Sequence, residues 1–590
     1  MFKEEKMKNI IGILLSAILV IFIWHKFLVS GNTVIFLLIF VSMYYVIKKT
    51  IEKENKKKFA ITAIISLIFA LVEVICTSIN IDYTLNHVLD KWTIINFLGY
   101  AILGWVLISN VYNLFDRERP STNNTNIIYT LLMDNKWSFY INAIIIFLAW
   151  LPYFLRYYPG LLTNDSCSQV SQSIGLAMLT NHHPVFHTGL VALFVNIGQN
   201  IFHDLNIGVA LYTVFQMIAM SLIFSTVINY LKKKEINSEI RMIVLLYYMF
   251  YPINALFSVT MWKDILFSGL LSIFIILSAE LVVDTETFLN NKKDIIWYII
   301  VSILVSYMRN NGIYVIVLTI PFIILALRRY WKKILFIFSI IIVIYFSTKT
   351  IIFHLLNVQK GSIAEMMSIP LQQIARVYKY HSEDLDESDF KEINNIFECS
   401  DIGDRYIPTL SDPVKAQLNV EYFTSNKGRF IKLWFKLLIK YPKDYIESFI
   451  SNSYGYYYPE AKNWVANRTM EQNSMGLEQR PIIKGTIVSK IDSLIEKRDI
   501  PLISMCFSIG MAFWIIVTCF GYRILKQDYK SMLIYVPLFI LWLTIVASPV
   551  FCEYRYAYSL FTTLPLYISL NFIKRKELQN GKNSSTNTML

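Results

Sequence analysis

Apolar runs of about twenty residues, separated by short polar or charged stretches, recur along the whole chain. Helices crossing a bilayer with a hydrocarbon core about 30 Å thick leave this pattern. The pattern predicts about fourteen spans, with cores near 9–29, 32–47, 59–79, 93–114, 137–155, 207–231, 240–258, 264–283, 295–308, 311–327, 333–352, 502–524, 531–547 and 556–573. The first opens on Met1-Phe2-Lys3-Glu4-Glu5-Lys6, lacks a small-residue cleavage site and is followed at once by a second. It therefore reads as an anchor and not as a removed signal peptide.

Basic residues set the expected orientation. The loop Lys48 to Lys58, the group Lys232-Lys233-Lys234 with Arg241, the group Arg328-Arg329 with Lys332-Lys333, and Lys574-Arg575-Lys576 are assigned to the cytoplasm. Alternate loops, such as Asp82 to Lys91, are poor in base and are assigned outside. With both termini cytoplasmic, the bookkeeping closes only if the apolar stretch Pro184–Phe202 does not cross. The segment 156–206 then becomes one external loop with two short interfacial helices, the first carrying Val170, Ile174 and Met178 on one face. A second polar segment, with acidic runs such as Ser382–Glu392, reads as a folded external domain.

The fold class is an all-α polytopic membrane protein. Its expected parts are a four-helix membrane region over 1–136, a membrane core over 137–352, an extracytoplasmic domain of mixed or mainly helical structure over 353–501, and C-terminal spans with a cytoplasmic tail over 502–590. Composition agrees, because 55% of the 590 residues are hydrophobic and only 16% charged, too apolar for a water-soluble core. The net charge of +13 is spread beside apolar segments, so a nucleic-acid partner is not expected, whereas the lipid bilayer is. Six cysteines without C-x-x-C or metal-type spacing argue against a disulfide scaffold or a zinc site.

A carrier places ionisable residues in mid-span, facing a cavity. Here the spans are nearly clean, with Glu73 and His25 the main intruders. Polar residues gather instead at expected outer helix ends: Asp165, His182, His183, His187, Lys263, Asp264, Arg309, Glu553 and Arg555. The strongest local signal is Tyr157-Tyr158-Pro159-Gly160, then Asn164-Asp165-Ser166 with Gln169, then Asn181-His182-His183-Pro184. Four further fragments accompany it: Met261-Trp262-Lys263-Asp264, Arg309-Asn310-Asn311-Gly312, Ile369-Pro370-Leu371-Gln372-Gln373-Ile374-Ala375-Arg376 and Glu553-Tyr554-Arg555-Tyr556.

Together these resemble, over roughly residues 137–573, the GT-C superfamily of multi-pass glycosyltransferases, and most closely a group of poorly characterised bacterial members. The first four spans look like an addition ahead of that core. The resemblance implies a membrane glycosyltransferase that moves a sugar from a polyprenyl-phosphate donor to a cell-envelope glycan, lipid or protein acceptor at the outer face of the cell membrane. It implies Asp165 as base or metal ligand, His183 as an orienting catalytic residue, and Lys263, Arg309 and Arg555 as phosphate partners. Glu553, Gln169, Gln373 and Arg376 are expected to line the substrate site. The sequence has Asn164-Asp165 where many members pair two acids, so the resemblance leaves a divalent cation, magnesium or manganese, open and names no other cofactor.

Plainer readings stand beside these. Asn164, Asp165 and Ser166 are favoured helix N-caps. Lys263 and Arg555 can anchor spans at headgroups, and Gln372, Gln373 and Arg376 can be a solvated helix face. The tyrosines of Ser453–Pro459 and Trp464 suit either sugar stacking or an interfacial belt. At the level of function, the alternatives are a flippase or transporter of lipid-linked glycans, or a polymerase or ligase joining them.

Overall fold

The computed structural model describes residues 2–27, 33–117, 127–484, 487–488, 490–491, 493 and 501–572. The basic run Lys574-Arg575-Lys576 expected in the cytoplasm lies outside these residues. Among the described residues the structure is helical, with only isolated bridges between extended segments.

The N-terminal helices are α1 (Phe2–Phe27), α2 (Thr33–Glu52), α3 (Lys56–Asp82) and α4 (Thr93–Phe115). The chain continues through α5 (Ser138–Arg156), α6 (Asn164–Ser173), α7 (Val185–Ile201), α8 (Leu205–Lys233), α9 (Ser238–Phe250), α10 (Pro252–Ser258) and α11 (Lys263–Val283). Next come α12 (Lys292–Met308), α13 (Gly312–Ala326) and α14 (Trp331–Leu355). Three helices of the polar segment follow, α15 (Ser368–His381), α16 (Lys427–Lys440) and α17 (Pro442–Ser453), and then α18 (Ile509–Lys526), α19 (Val536–Ala547) and α20 (Tyr554–Leu570).

Ten stretches among the described residues are long and apolar enough to cross a bilayer, or eleven if α9 and α10, bent by 52°, count as one. The bend falls where Pro252 pushes Tyr251 out of the helical region. The difference from the expected fourteen lies in α12, α13 and α20, which have 17, 15 and 17 residues. At 1.5 Å per residue these fall short of about 30 Å.

Polar contacts sort the helix ends into two groups. At one end, Lys58 donates to Asn113, Lys232 to the carbonyls of Asp134 and Asn135, and Arg241 pairs with Asp134, while Lys233 and Lys234 pair with Glu280 and Arg523 with Asp528. These are the basic loops of the sequence. The opposite end collects Asp165, His183, Lys263 and Arg555.

Helix α11 is the most enclosed of the spans, with 78% of its apolar window buried, and packs on α8, α12 and α20. Its N-terminus, Lys263, therefore opens in the middle of that end. The four N-terminal helices have a separate small core around Leu19, Phe22, Ile47 and Trp105 and join the rest through α3 on α18 and α17. The polar segment also has its own apolar core, built from Leu371, Ile374, Ile393, Val414, Leu433 and Leu437. Its regular elements are helical up to Tyr456, and the described residues 457–484 run as loop with a single bridge at Trp464, so no sheet is observed there among the described residues.

Candidate functional site

Two extended segments lying side by side bring the cluster together. Leu161 pairs with Thr260, its N–H donating to the Val259 carbonyl at 2.8 Å and its own carbonyl accepting from Met261 N at 3.0 Å. Gly160 precedes it with φ +149°, and a Cβ there would stand 2.4 Å from the Thr213 hydroxyl, so only glycine fits. Trp262 Nε1 donates to Thr163 Oγ1 at 2.8 Å, and Ser166 Oγ to the Met261 carbonyl at 2.6 Å. One short step further along each segment, Asp165 meets Lys263.

Asp165 Oδ2 accepts from Arg555 Nη1 at 2.7 Å and from Lys263 Nζ at 3.4 Å. Lys263 Nζ also donates to His183 Nδ1 at 3.1 Å. Arg555 Nε reaches Glu553 Oε2 at 2.5 Å and Nη2 reaches the Tyr556 hydroxyl at 3.0 Å. Its guanidinium sits 5.1 Å from the Trp262 ring centroid and 4.8 Å from that of Tyr556. Arg309 shares the Tyr556 ring at 4.5 Å and pairs with Asp264, Nε to Oδ1 at 3.2 Å. That pair is not aligned as a hydrogen bond, and Arg309 Nη1 and both Asp264 oxygens are buried without one.

Burial alone would raise the Asp165 carboxyl, but Lys263 and Arg555 outweigh it and hold the group below the ordinary carboxylate range. Burial lowers His183 to about 3, and Lys263 adds to the effect, so its imidazole is neutral and accepts the lysine proton. Burial raises Glu553 despite its bond to Arg555. As the side chains stand, no carboxylate of the cluster is open to the divalent cation that the resemblance allowed. Each carboxylate is already taken by a base: Asp165 by Arg555 and Lys263, Glu553 by Arg555, and Asp264 by Arg309.

Behind the cluster runs a buried chain of hydrogen bonds with one direction. Gln169 Nε2 donates to His187 Nδ1 at 2.9 Å, His187 Nε2 to the Tyr212 hydroxyl at 2.7 Å, and that hydroxyl to Gln216 Oε1 at 3.2 Å. Gln216 Nε2 then donates to the carbonyls of Phe257, Ser258 and Thr260 at 3.1, 3.0 and 2.8 Å. His187 and Tyr212 each accept one hydrogen bond and donate one, which requires a neutral His187. Burial lowers this imidazole to about 3 as well. Gln169 thus does not reach the cluster. It holds α6 to α7 and to the backbone that delivers Lys263.

The structure brings together Asp165, His183, Lys263, Arg309, Glu553 and Arg555. It places Gln373 and Arg376 elsewhere, inside the small helical domain. Gln373 donates to the Tyr445 carbonyl at 3.2 Å and accepts from Trp434 at 2.9 Å. Arg376 donates to Asp444 at 3.2 Å, to Tyr406 at 3.3 Å and to Glu447. Neither residue lines the cluster or forms a solvated face, because their helix buries this side against α17.

Two local expectations also change. Helix α6 ends at Ser173, since Gly175 takes φ +77° and turns the chain. Val170 is buried while Met178 is 71% exposed, so they share no face. Its N-cap is Thr163, and Asp165 faces the bases instead of capping. Of the aromatic run, Tyr454, Tyr456 and Tyr458 are buried, whereas Trp464 is 40% exposed with its ring 6.0 Å from Trp262. The bridge Trp464 to Glu553 holds it there.

The sequence reading assigned no part to Tyr212 or Gln216. A glutamine midway along the apolar span 207–231 was the available sign.

Among the described residues, a helical body with ten or eleven helices long and apolar enough to cross a bilayer, and a polar cluster at their ends, defines a multi-pass membrane protein. The chain belongs to a family of unknown function, DUF6020, whose model matches residues 173–586. No curated protein and no solved structure matches it. The matched region includes His183, Lys263, Arg309, Glu553 and Arg555 and begins after Asp165 and Gln169.

Proposed function

We propose that this chain is a membrane glycosyltransferase of GT-C type, with its cluster at the extracytoplasmic face, both termini in the cytoplasm and fourteen spans. It moves a sugar from a polyprenyl-phosphate-linked donor to a cell-envelope acceptor. The observation that carries the reading is one carboxylate, Asp165, held between Arg555 and Lys263 at the common end of separate helices. A lipid-linked donor keeps its tail in the bilayer and its phosphosugar at this level, so it reaches the cluster without leaving the membrane.

The same two bases serve the donor phosphate. Arg555 binds a phosphate through two N–H groups and Lys263 as a point charge, and both are drawn off Asp165 when the donor arrives. Freed of them, the buried carboxylate becomes more basic. It takes the acceptor hydroxyl proton as the oxygen attacks the anomeric carbon, and the bond to phosphate oxygen breaks with its electron pair leaving on the polyprenyl phosphate. Arg309, with Nη1 free of hydrogen bonds, neutralises that leaving charge. His183, neutral, keeps Lys263 aimed.

The test compares cell-wall and lipid glycans by mass spectrometry in a deletion strain carrying the wild type or Asp165→Asn. A general base contributes about 10²–10⁴-fold, so the Asn variant should resemble the deletion. Full restoration by Asp165→Asn at equal protein level would remove Asp165 from this role.

A further inference from the structure

Helix α16, Lys427–Lys440, has two apolar sides. One packs inward through Phe430, Leu433 and Leu437. The other presents Ile431, Phe435 and Ile439 at i, i+4 and i+8, exposed by 53, 53 and 81%. Lys427 and Lys432 border this outward stripe. Lys436 and Lys440 lie further round, where Lys436 pairs with Asp386 and Asp389 and Lys440 donates to the Asp384 carbonyl.

A helix in water keeps charge opposite its buried side, and here three large apolar side chains occupy much of that space. The next helix, α17, leads to the bilayer edge. Lys443 donates to Asn86 at 2.7 Å, and Glu447 accepts from Leu85 N at 2.7 Å. Both partners lie just beyond α3, whose last turn exposes Ile81 by 59%. Leu89, just after that turn, and Ile446 on α17 are also exposed, by 91 and 50%.

We infer that α16 is an interfacial anchor: Ile431, Phe435 and Ile439 dip into the leaflet at the cluster end, with Lys427 and Lys432 on anionic headgroups. Apolar area supplies the binding and the two bases select the lipid charge. The inference stands independently of the transferase reading. Its consequence is that the small domain is held down on the membrane beside the cluster.

The test uses the full chain in nanodiscs of equal phosphatidylglycerol and phosphatidylcholine. A photoreactive benzoylphenylalanine replaces Phe435 or Ile439, with Leu148, 53% exposed on α5, as the lipid-facing control and Glu387 as the aqueous one. Lipid adducts are expected at 435 and 439 as at 148, and few at 387. Each lysine near an anionic surface is worth about 1 kcal/mol, or about five-fold. Phosphatidylglycerol adducts at 435 should therefore exceed phosphatidylcholine adducts by about two- to five-fold, and Lys427→Gln with Lys432→Gln should erase the excess. Labelling at 148 without labelling at 435 and 439 would overturn the anchor, as would equal labelling at 387 or crosslinking to a second copy. Adducts without the phosphatidylglycerol excess would overturn the role of the two lysines.

Discussion

Gln216→Leu removes the amide that ties three carbonyls of the segment before Lys263 to the middle of α8. The leucine fills the same space, so the change is in hydrogen bonding and not in volume. Three bonds of 2.8–3.1 Å disappear from a fully buried side chain, and the Tyr212 hydroxyl loses its acceptor. Two of the carbonyls keep a backbone donor, that of Phe257 from Thr260 N and that of Thr260 from Trp262 N. The net loss is therefore about 2–4 kcal/mol, the weight of two or three buried bonds and not of four.

Thermal unfolding in detergent should fall by about 2–3 °C on that basis. Glycan transfer should fall by about ten- to a hundred-fold, because misplacing a catalytic group by an ångström costs that much. Gln216→Glu, which sets an acceptor against three acceptors, should be worse than the leucine variant. If the glutamate variant matches the wild type in both assays, the amide does not hold this segment, and the directed chain from Gln169 is wrong.

Arg376→Met should take the guanidinium from Asp444 and Glu447 inside the small domain, leaving Asp444 to His381 and Glu447 to Leu85 N, at about 3 kcal/mol, the low end for breaking a buried pair. Limited proteolysis should then cut first within 363–453, while the membrane helices stay protected. His183 is neutral when folded and is lowered to about 3 from 6.5, so the unfolded chain takes its proton first as pH falls. The stability tied to it is complete above pH 6.5 and lost between 6.5 and 3, about 2–3 kcal/mol being gone by pH 4.5. Comparing unfolding at pH 7 and 4.5 should show that His183→Gln removes this part of the acid sensitivity. Asp165 acts in a separate window, since its lowered carboxyl adds stability only above the ordinary carboxylate range and loses it below. Trp464→Ala should raise the KM for a sugar substrate by about three- to ten-fold, the worth of one aromatic contact, with little change in melting temperature.

The helical, membrane-crossing class was legible because hydrocarbon leaves no alternative backbone and demands long apolar runs. The gathering of Asp165, Lys263 and Arg555 was legible for the same reason: charge excluded from spans collects at their ends. The pairing of Leu161 with Thr260 was not, since it joins segments about a hundred residues apart by backbone bonds that no side-chain pattern announces. Gln373 and Arg376 misled for a related reason. Polar residues three apart on a helix read alike whether they face water, substrate or, as here, the carboxylates and carbonyls of a buried interior. The expected fourteen spans and the ten or eleven long apolar helices among the described residues part at α12, α13 and α20, whose helical stretches have 17, 15 and 17 residues.

Arg555 lies 390 positions beyond the aspartate it neutralises. During synthesis the early helices therefore enter the bilayer with that aspartate held by Lys263 at most, and its second base leaves the ribosome only with α20. A nascent or prematurely terminated product accordingly carries an unfinished cluster, with its aspartate short of one base.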